Sequence, residues 1–243
     1  MDRAPGSHRI LIRPGYNPLM MRALVVVPLI LALGLVGQAV ARDQSKVHFT
    51  HPRDIDNRYD PLTENDRCVL RGKEDGARVK LARTLLDRSK TFRVNGETVH
   101  AAIIQDSEFE DGELGERTLD YFAQDDRGTV WYLGEDVDKY ENGKVVGHGG
   151  AWLYGKDTDK MGVEMAAHPR VGTRWRHERV PGITHESDRV VAVLDKATVR
   201  GTTYHDVVRV REHTRPDDEV EFKLYAPGVG NITDGGTGLV RCS

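Results

Sequence analysis

Three stretches decide the fold: Leu119-Asp-Tyr-Phe-Ala-Gln-Asp-Asp-Arg-Gly-Thr-Val-Trp-Tyr-Leu-Gly-Glu135, Tyr140-Glu-Asn-Gly-Lys-Val-Val146 and Gly149-Gly-Ala-Trp-Leu-Tyr154. Two of the three Trp and four of the eight Tyr lie between Leu119 and Tyr154, and aromatic residues suit a pleated surface. The extended runs are separated by glycine turns. Gly128 can take the positive φ that a turn with a bulge needs after Asp125-Asp126-Arg127, and Asn142-Gly143 is the strongest short hairpin signal. The stretch therefore reads as a β-meander.

Outward from it, the chain repeats itself. A first copy spans residues 61–134 and a second spans residues 169–230. Both carry a glycine followed four residues later by histidine, Gly96 to His100 and Gly201 to His205. Each copy is expected to hold an opening strand, a long strand ending at the glycine turn, a strand after it and a return strand. Residues 135–168 form an insert and 231–243 a tail. Val208, Val210 and Glu212 alternate with Arg209 and Arg211, as in a half-buried strand. Residues 77–86 are rich in helix formers, yet Val79 and Leu81 alternate, and strand is the reading taken. The expected fold is all-β: an antiparallel sheet of two similar halves, curved into a half-barrel or sandwich.

The aromatic stretch also resembles an uncharacterised family of exported bacterial β-proteins. The matching residues are Phe122-Ala-Gln-Asp125, Gly128, Val130-Trp-Tyr132, Gly134-Glu135, Tyr140 to Val146, Gly150-Ala-Trp152 and Tyr225-Ala-Pro-Gly-Val-Gly230. The resemblance runs from about Asp60 to Gly230 and implies an exported β-protein with no catalytic residues to carry over. The chain departs from the family pattern at Cys68, where an aromatic residue is usual, and in the tail from Asn231 to Ser243.

Charge and the N-terminus bear on location. With 35 basic and 38 acidic residues and a net charge of −3, the chain lacks the basic excess of a nucleic-acid binder. Residues 1–41 read as an N-terminal extension and signal peptide: an apolar run from Ala23 to Val36 follows Arg22 and precedes Ala39-Val-Ala41. A membrane-anchor helix over 23–41 is the alternative, so a membrane enters only through this segment if it is uncleaved. Residues 42–60 show no period and read as a polar arm or linker before the β domain at 61–243. Export would place Cys68 and Cys242, the two cysteines of the chain, in an oxidising compartment. A disulfide between them accounts for both departures from the family, against the alternative of two separate thiols. Such a bridge would be worth at most about 5 kcal/mol in the chain-entropy picture.

The usual catalytic signatures are missing. His177-Glu178 and His185-Glu186 begin like a zinc-protease helix, but Pro181 and Arg189 stand where the second histidine should be. Neither a Gly-x-Ser-x-Gly nor a phosphate-binding glycine loop occurs. Asp157-Thr-Asp159-Lys-Met161-Gly162 opens like a calcium loop and then fails, with His168 in place of the terminal Glu. His100 and His205 occupy equivalent places in the repeat and are weighed as a shared metal or proton site against two ordinary surface histidines.

Function is accordingly read as a non-enzymatic module, exported to the periplasm or secreted. Its expected partner is an apolar small molecule or an envelope protein, with Tyr121, Trp131, Tyr132 and Trp152 as ligand-binding residues on an outward face, and with neither cofactor nor metal. The alternative is a metal-dependent or hydrolytic enzyme whose site is assembled from scattered His and acidic residues.

Overall fold

The computed structural model describes residues 44–215 and 218–243, and the proposed signal segment lies outside them. After a single 3-10 turn at Gln44–Lys46 the described chain is all strand. In order these are β1 (Arg67–Glu74), β2 (Ala77–Val94), β3 (Glu97–Glu110), β4 (Glu113–Gln124), β5 (Val130–Glu141), β6 (Lys144–Gly147) and β7 (Trp152–Leu153). They continue as β8 (Gly162–Met165), β9 (Arg174–Val180), β10 (Thr184–Val199), β11 (Thr202–Arg215), β12 (Glu219–Ala226), β13 (Gly230–Asp234) and β14 (Thr237–Cys242). Among the described residues no helix is long and apolar enough to cross a membrane.

All fourteen strands belong to one antiparallel sheet in the order β6-β5-β4-β3-β2-β1-β14-β13-β12-β11-β10-β9, with β7 and β8 pairing to β5. The ladder is not closed into a barrel. The sheet is nonetheless curved, because residues of β2, β3 and β4 line the same cavity as residues of β8, β9, β12 and β13, which a flat sheet cannot arrange. At the gap, β8 and β9 come so close that a Cβ on Gly162 would lie 1.9 Å from the backbone oxygen of His177. Only glycine fits there.

Two long hairpins dominate. β2 turns into β3 through Asn95-Gly96, and β10 into β11 through Arg200-Gly201. Both residues of each turn have positive φ (52° and 84°; 49° and 87°), the two-residue turn whose twist matches the strands it joins. Residues 77–86, with their helix-forming composition, are strand because β1 and β3 pair with them on both sides. Packing outweighs propensity there.

The tail is what joins the halves. β13 and β14, both within the stretch that follows the family-like motif, lie between β12 and β1. Cys68 and Cys242 form a disulfide, Cα to Cα 4.1 Å. Beside them Arg67 and Ser243 exchange both backbone hydrogen bonds, at 3.1 and 2.9 Å. The cysteines thus occupy the neighbouring non-hydrogen-bonded pair, where antiparallel Cα atoms approach most closely.

The polar segment 42–60 is no loose linker over its described part. Ile55 is fully buried, with Val47 and Tyr59 beside it in the main core. The side chain of Asn57 donates to the carbonyls of Gly128 and Ala166 at 2.7 and 3.2 Å. The Gln44 amide both donates to and accepts from the backbone of Met161, at 2.9 and 3.0 Å. Its few apolar residues are irregularly spaced, so the segment shows no period, yet each fills a hole in the core.

Candidate functional site

Inside the curve of the sheet lies a cavity of about 320 Å³ with an acidic wall. Its lining includes eight carboxyl groups, those of Glu74, Asp106, Glu108, Glu116, Asp120, Glu164, Glu221 and Asp234. Against them stand Arg83, Lys223 and His177, with Phe122, Tyr132 and Tyr225 supplying the aromatic part. Period-2 geometry explains the placement: alternate residues of β2, β3, β4 and β12 face inward, and several of those positions carry charge instead of an apolar group.

Three cations are matched to acids. Arg83 grips Asp106 with both Nε and Nη2, at 3.2 and 2.9 Å. Lys223 lies 2.7 Å from Glu212 and 3.6 Å from Asp234. Lys139 of β5 lies 2.8 Å from Glu116. Among the described residues Asp120, Glu135 and Asp60 have no such partner. Burial, with Asp106 close by, pushes the Asp120 carboxyl up to about 7, although Tyr132 Oη donates to it at 2.7 Å. Burial together with Glu178 pushes Glu135 up to about 9. Asp60, all but sealed off, is raised by burial and by the neighbouring Glu164. Taking charge out of water disfavours the ionised form unless something opposite compensates it.

His177 is held among three carboxylates on two neighbouring strands. Its Nε2 lies 3.3 Å from Glu164 of β8, and its Nδ1 lies 3.3 Å from Asp188 and 3.6 Å from Glu186 of β10. The histidine is the extra residue of a β-bulge: Glu178 faces Glu186 and Arg176 faces Ser187, which leaves 177 unpaired. Bulges re-aim a side chain in this way. Burial opposes a charged imidazole, but Glu186, Glu164 and Asp188 outweigh it and raise the His177 pKa well above its ordinary value. The Glu186 carboxyl is pushed up to about 8, chiefly by burial. One atom each of His177, Glu186 and Asp188 lie within 4.8 Å of one another.

The residues expected to bind a ligand sit elsewhere than on an outward face. Tyr121, Trp131, Tyr132 and Trp152 are all buried, none above 4% exposed. Tyr121 Oη donates to Asp136 and Trp131 Nε1 to Asp125, while Tyr132 stacks on Phe122 and meets Trp152 and His177 edge-on. Of the four, Tyr132 alone lines the cavity. Aromatics on a sheet with one side facing the interior are drawn to that side by their own apolar area. His100 bonds to Thr91 on the neighbouring strand and His205 lies opposite Lys196. Both are exposed, each set against its own neighbouring strand, and five strands intervene between β3 and β11.

The residues that do converge had a faint signal. Glu212 is in phase with buried Val208 and Val210, and Glu186 and Asp188 are in phase with buried Val190. Acids repeating at core positions of a strand are the trace that a polar interior leaves in a sequence. Nothing in the spacing of His177 announces a bulge. No family model, curated protein or solved structure matches the chain, and its function is read from this site.

Proposed function

We propose that the protein is an exported, non-enzymatic binding module whose acidic cavity takes a small organic cation. The observation that carries this is the excess of carboxyl groups around the cavity, eight against Arg83, Lys223 and His177 of the wall and Lys139 beside Glu116. A guest with an amine or guanidinium group would compensate that excess and form charge-assisted hydrogen bonds with the wall. The cavity volume lies at the lower end of the range for ligand sites, about 300–1,000 Å³.

A binding role remains the expected class, but the occupant differs from the apolar molecule expected from the aromatic stretch, because those side chains pack into the core. Export rests on the signal-like segment and the family resemblance, with the disulfide consistent with an oxidising compartment.

Calorimetry on the mature chain, in EDTA, with an aliphatic diamine, a guanidinium compound and neutral molecules of matched size tests the reading. The cations should bind at least tenfold more tightly, and Asp120→Asn or Glu108→Gln should reduce that preference. Equal binding of cations and neutral isosteres would overturn it.

A further inference from the structure

We propose that His177 Nδ1, Glu186 and Asp188 form a binding site for a first-row divalent transition metal, with Glu164 orienting the imidazole from its other nitrogen. The three donors sit on adjacent strands β9 and β10, with Glu186 and Asp188 two residues apart on one face. Two donors each about 2.0–2.2 Å from a tetrahedral metal are roughly 3.3–3.6 Å from each other. The separations of Nδ1 from Asp188 and Glu186, 3.3 and 3.6 Å, already match.

Glu164 supplies what a histidine ligand requires on its far side. Nδ1 hydrogen-bonds Asp188 Oδ2 at 3.3 Å; a metal would displace the Nδ1 proton, and Glu164, 3.3 Å from Nε2, would hold the remaining proton on Nε2, the arrangement found around most metal-bound histidines. The Glu164 side chain is 6% exposed, and the close approach of β8 to the His177 carbonyl at Gly162 keeps it in place.

The second, independent observation is an orphan. Asp188 is 5% exposed at its side chain, and its Oδ1 is buried with no hydrogen-bond partner among the described residues. Leaving a carboxylate oxygen buried and unmatched is costly, and a cation at this point would satisfy it. Lys223, whose charge also acts on Asp188, is engaged with Glu212 and Asp234.

One imidazole and two carboxylates favour the Mn²⁺-to-Zn²⁺ series over Ca²⁺ and Mg²⁺, which prefer all-oxygen shells. Three protein donors leave at least one position open. This site does not depend on the cation-guest reading: Glu186 and Asp188 are absent from the cavity wall, and His177 stands between the two.

The test is titration of the EDTA-treated mature chain with Co²⁺, read by visible absorption, and with Zn²⁺, read by calorimetry. One equivalent per chain should bind, with a d–d band of a low-coordinate site and at least 100-fold preference over Mg²⁺ and Ca²⁺. Asp188→Asn and His177→Gln should each lower affinity at least 100-fold, and Glu164→Gln about 10–100-fold. Asp120→Asn, which is directed at the cavity guest, should leave metal binding unchanged. Circular dichroism identifies any variant that fails to fold, and wild-type ¹⁵N spectra of the His177 ring decide independently of variants. Nδ1 should lose its proton and shift on adding Zn²⁺. A ring that stays doubly protonated at saturating Zn²⁺, or stoichiometric binding undiminished in folded Asp188→Asn, would overturn the site.

Discussion

The β2–β3 and β10–β11 hairpins turn in the same way, yet they handle buried charge differently. On β2–β3 Arg83 and Asp106 face each other within the hairpin, Glu108 lies further along the same cavity wall, and the end beyond is apolar, with Ala101 to Ile104 buried. On β10–β11 the inward charges are Glu186, Asp188 and Glu212, and compensation is borrowed from Lys223 on β12 and His177 on β9. Backbone geometry alone therefore says little about a site. One hairpin pairs its inward cation with an acid of its own, and the other finds cations only on its neighbours and, as proposed, in a bound metal.

Removing the borrowed cation should separate the two most sharply. Lys223→Met leaves Glu212 buried without its ion-pair partner and is expected to cost about 3–5 kcal/mol. Arg83→Met should cost less, about 1–3 kcal/mol, because the Asp106 side chain is 36% exposed and can rehydrate. Denaturant unfolding measures both, and Glu212→Gln added to Lys223→Met should recover most of the loss. Equal losses at the two hairpins would erase the contrast.

A middle-sized effect is expected from pH. Glu186, with a folded-state value of about 8 against an ordinary 4.5, holds a proton when folded that it releases on unfolding. Stability from this group is present below about pH 4.5 and declines as pH rises toward 8. His177, raised above 6.5, contributes stability that is complete below that value and is lost as pH passes its folded value, so the signs agree. In EDTA the melting temperature should be about 3–8 °C higher at about pH 5.5 than at about pH 8. Glu186→Gln should flatten that slope, whereas Arg83→Met should not.

The smallest effect tests how alike the turns are. Asn95 and Arg200 hold equivalent left-handed conformations, φ 52° and 49°, but only asparagine is suited to that region. Arg200→Asn should stabilise by about 0.5 kcal/mol after loss of the 3.3 Å bond from Arg200 to the Arg71 carbonyl. Asn95→Arg should destabilise by more, about 1–2 kcal/mol, because the Asn95 side chain also donates to the Gln44 carbonyl at 2.6 Å. Thermal melts of the two variants compare the turns directly.

Local rules carried the all-β class. Glycine turns at Gly96, Gly143 and Gly201, alternation along 208–212 and the aromatic stretch from 119 each act over a few residues, and period 2 is visible without knowing what lies opposite. The disulfide too is expected, from the export signal and from the departures at Cys68 and the tail; the structure adds that β1 and β14 bring the two cysteines into register. What required the tertiary structure was the sense of each face and the seam. Whether Glu212 or Arg209 points inward is a single choice of phase, but what an inward acid meets depends on strands as distant in sequence as those of Glu164, His177 and Lys223. The tail likewise looks like an appendage until β13 and β14 are seen closing the gap between the halves. Side-chain period is local, while compensation of a buried charge is decided by whatever the curvature of the sheet sets across from it.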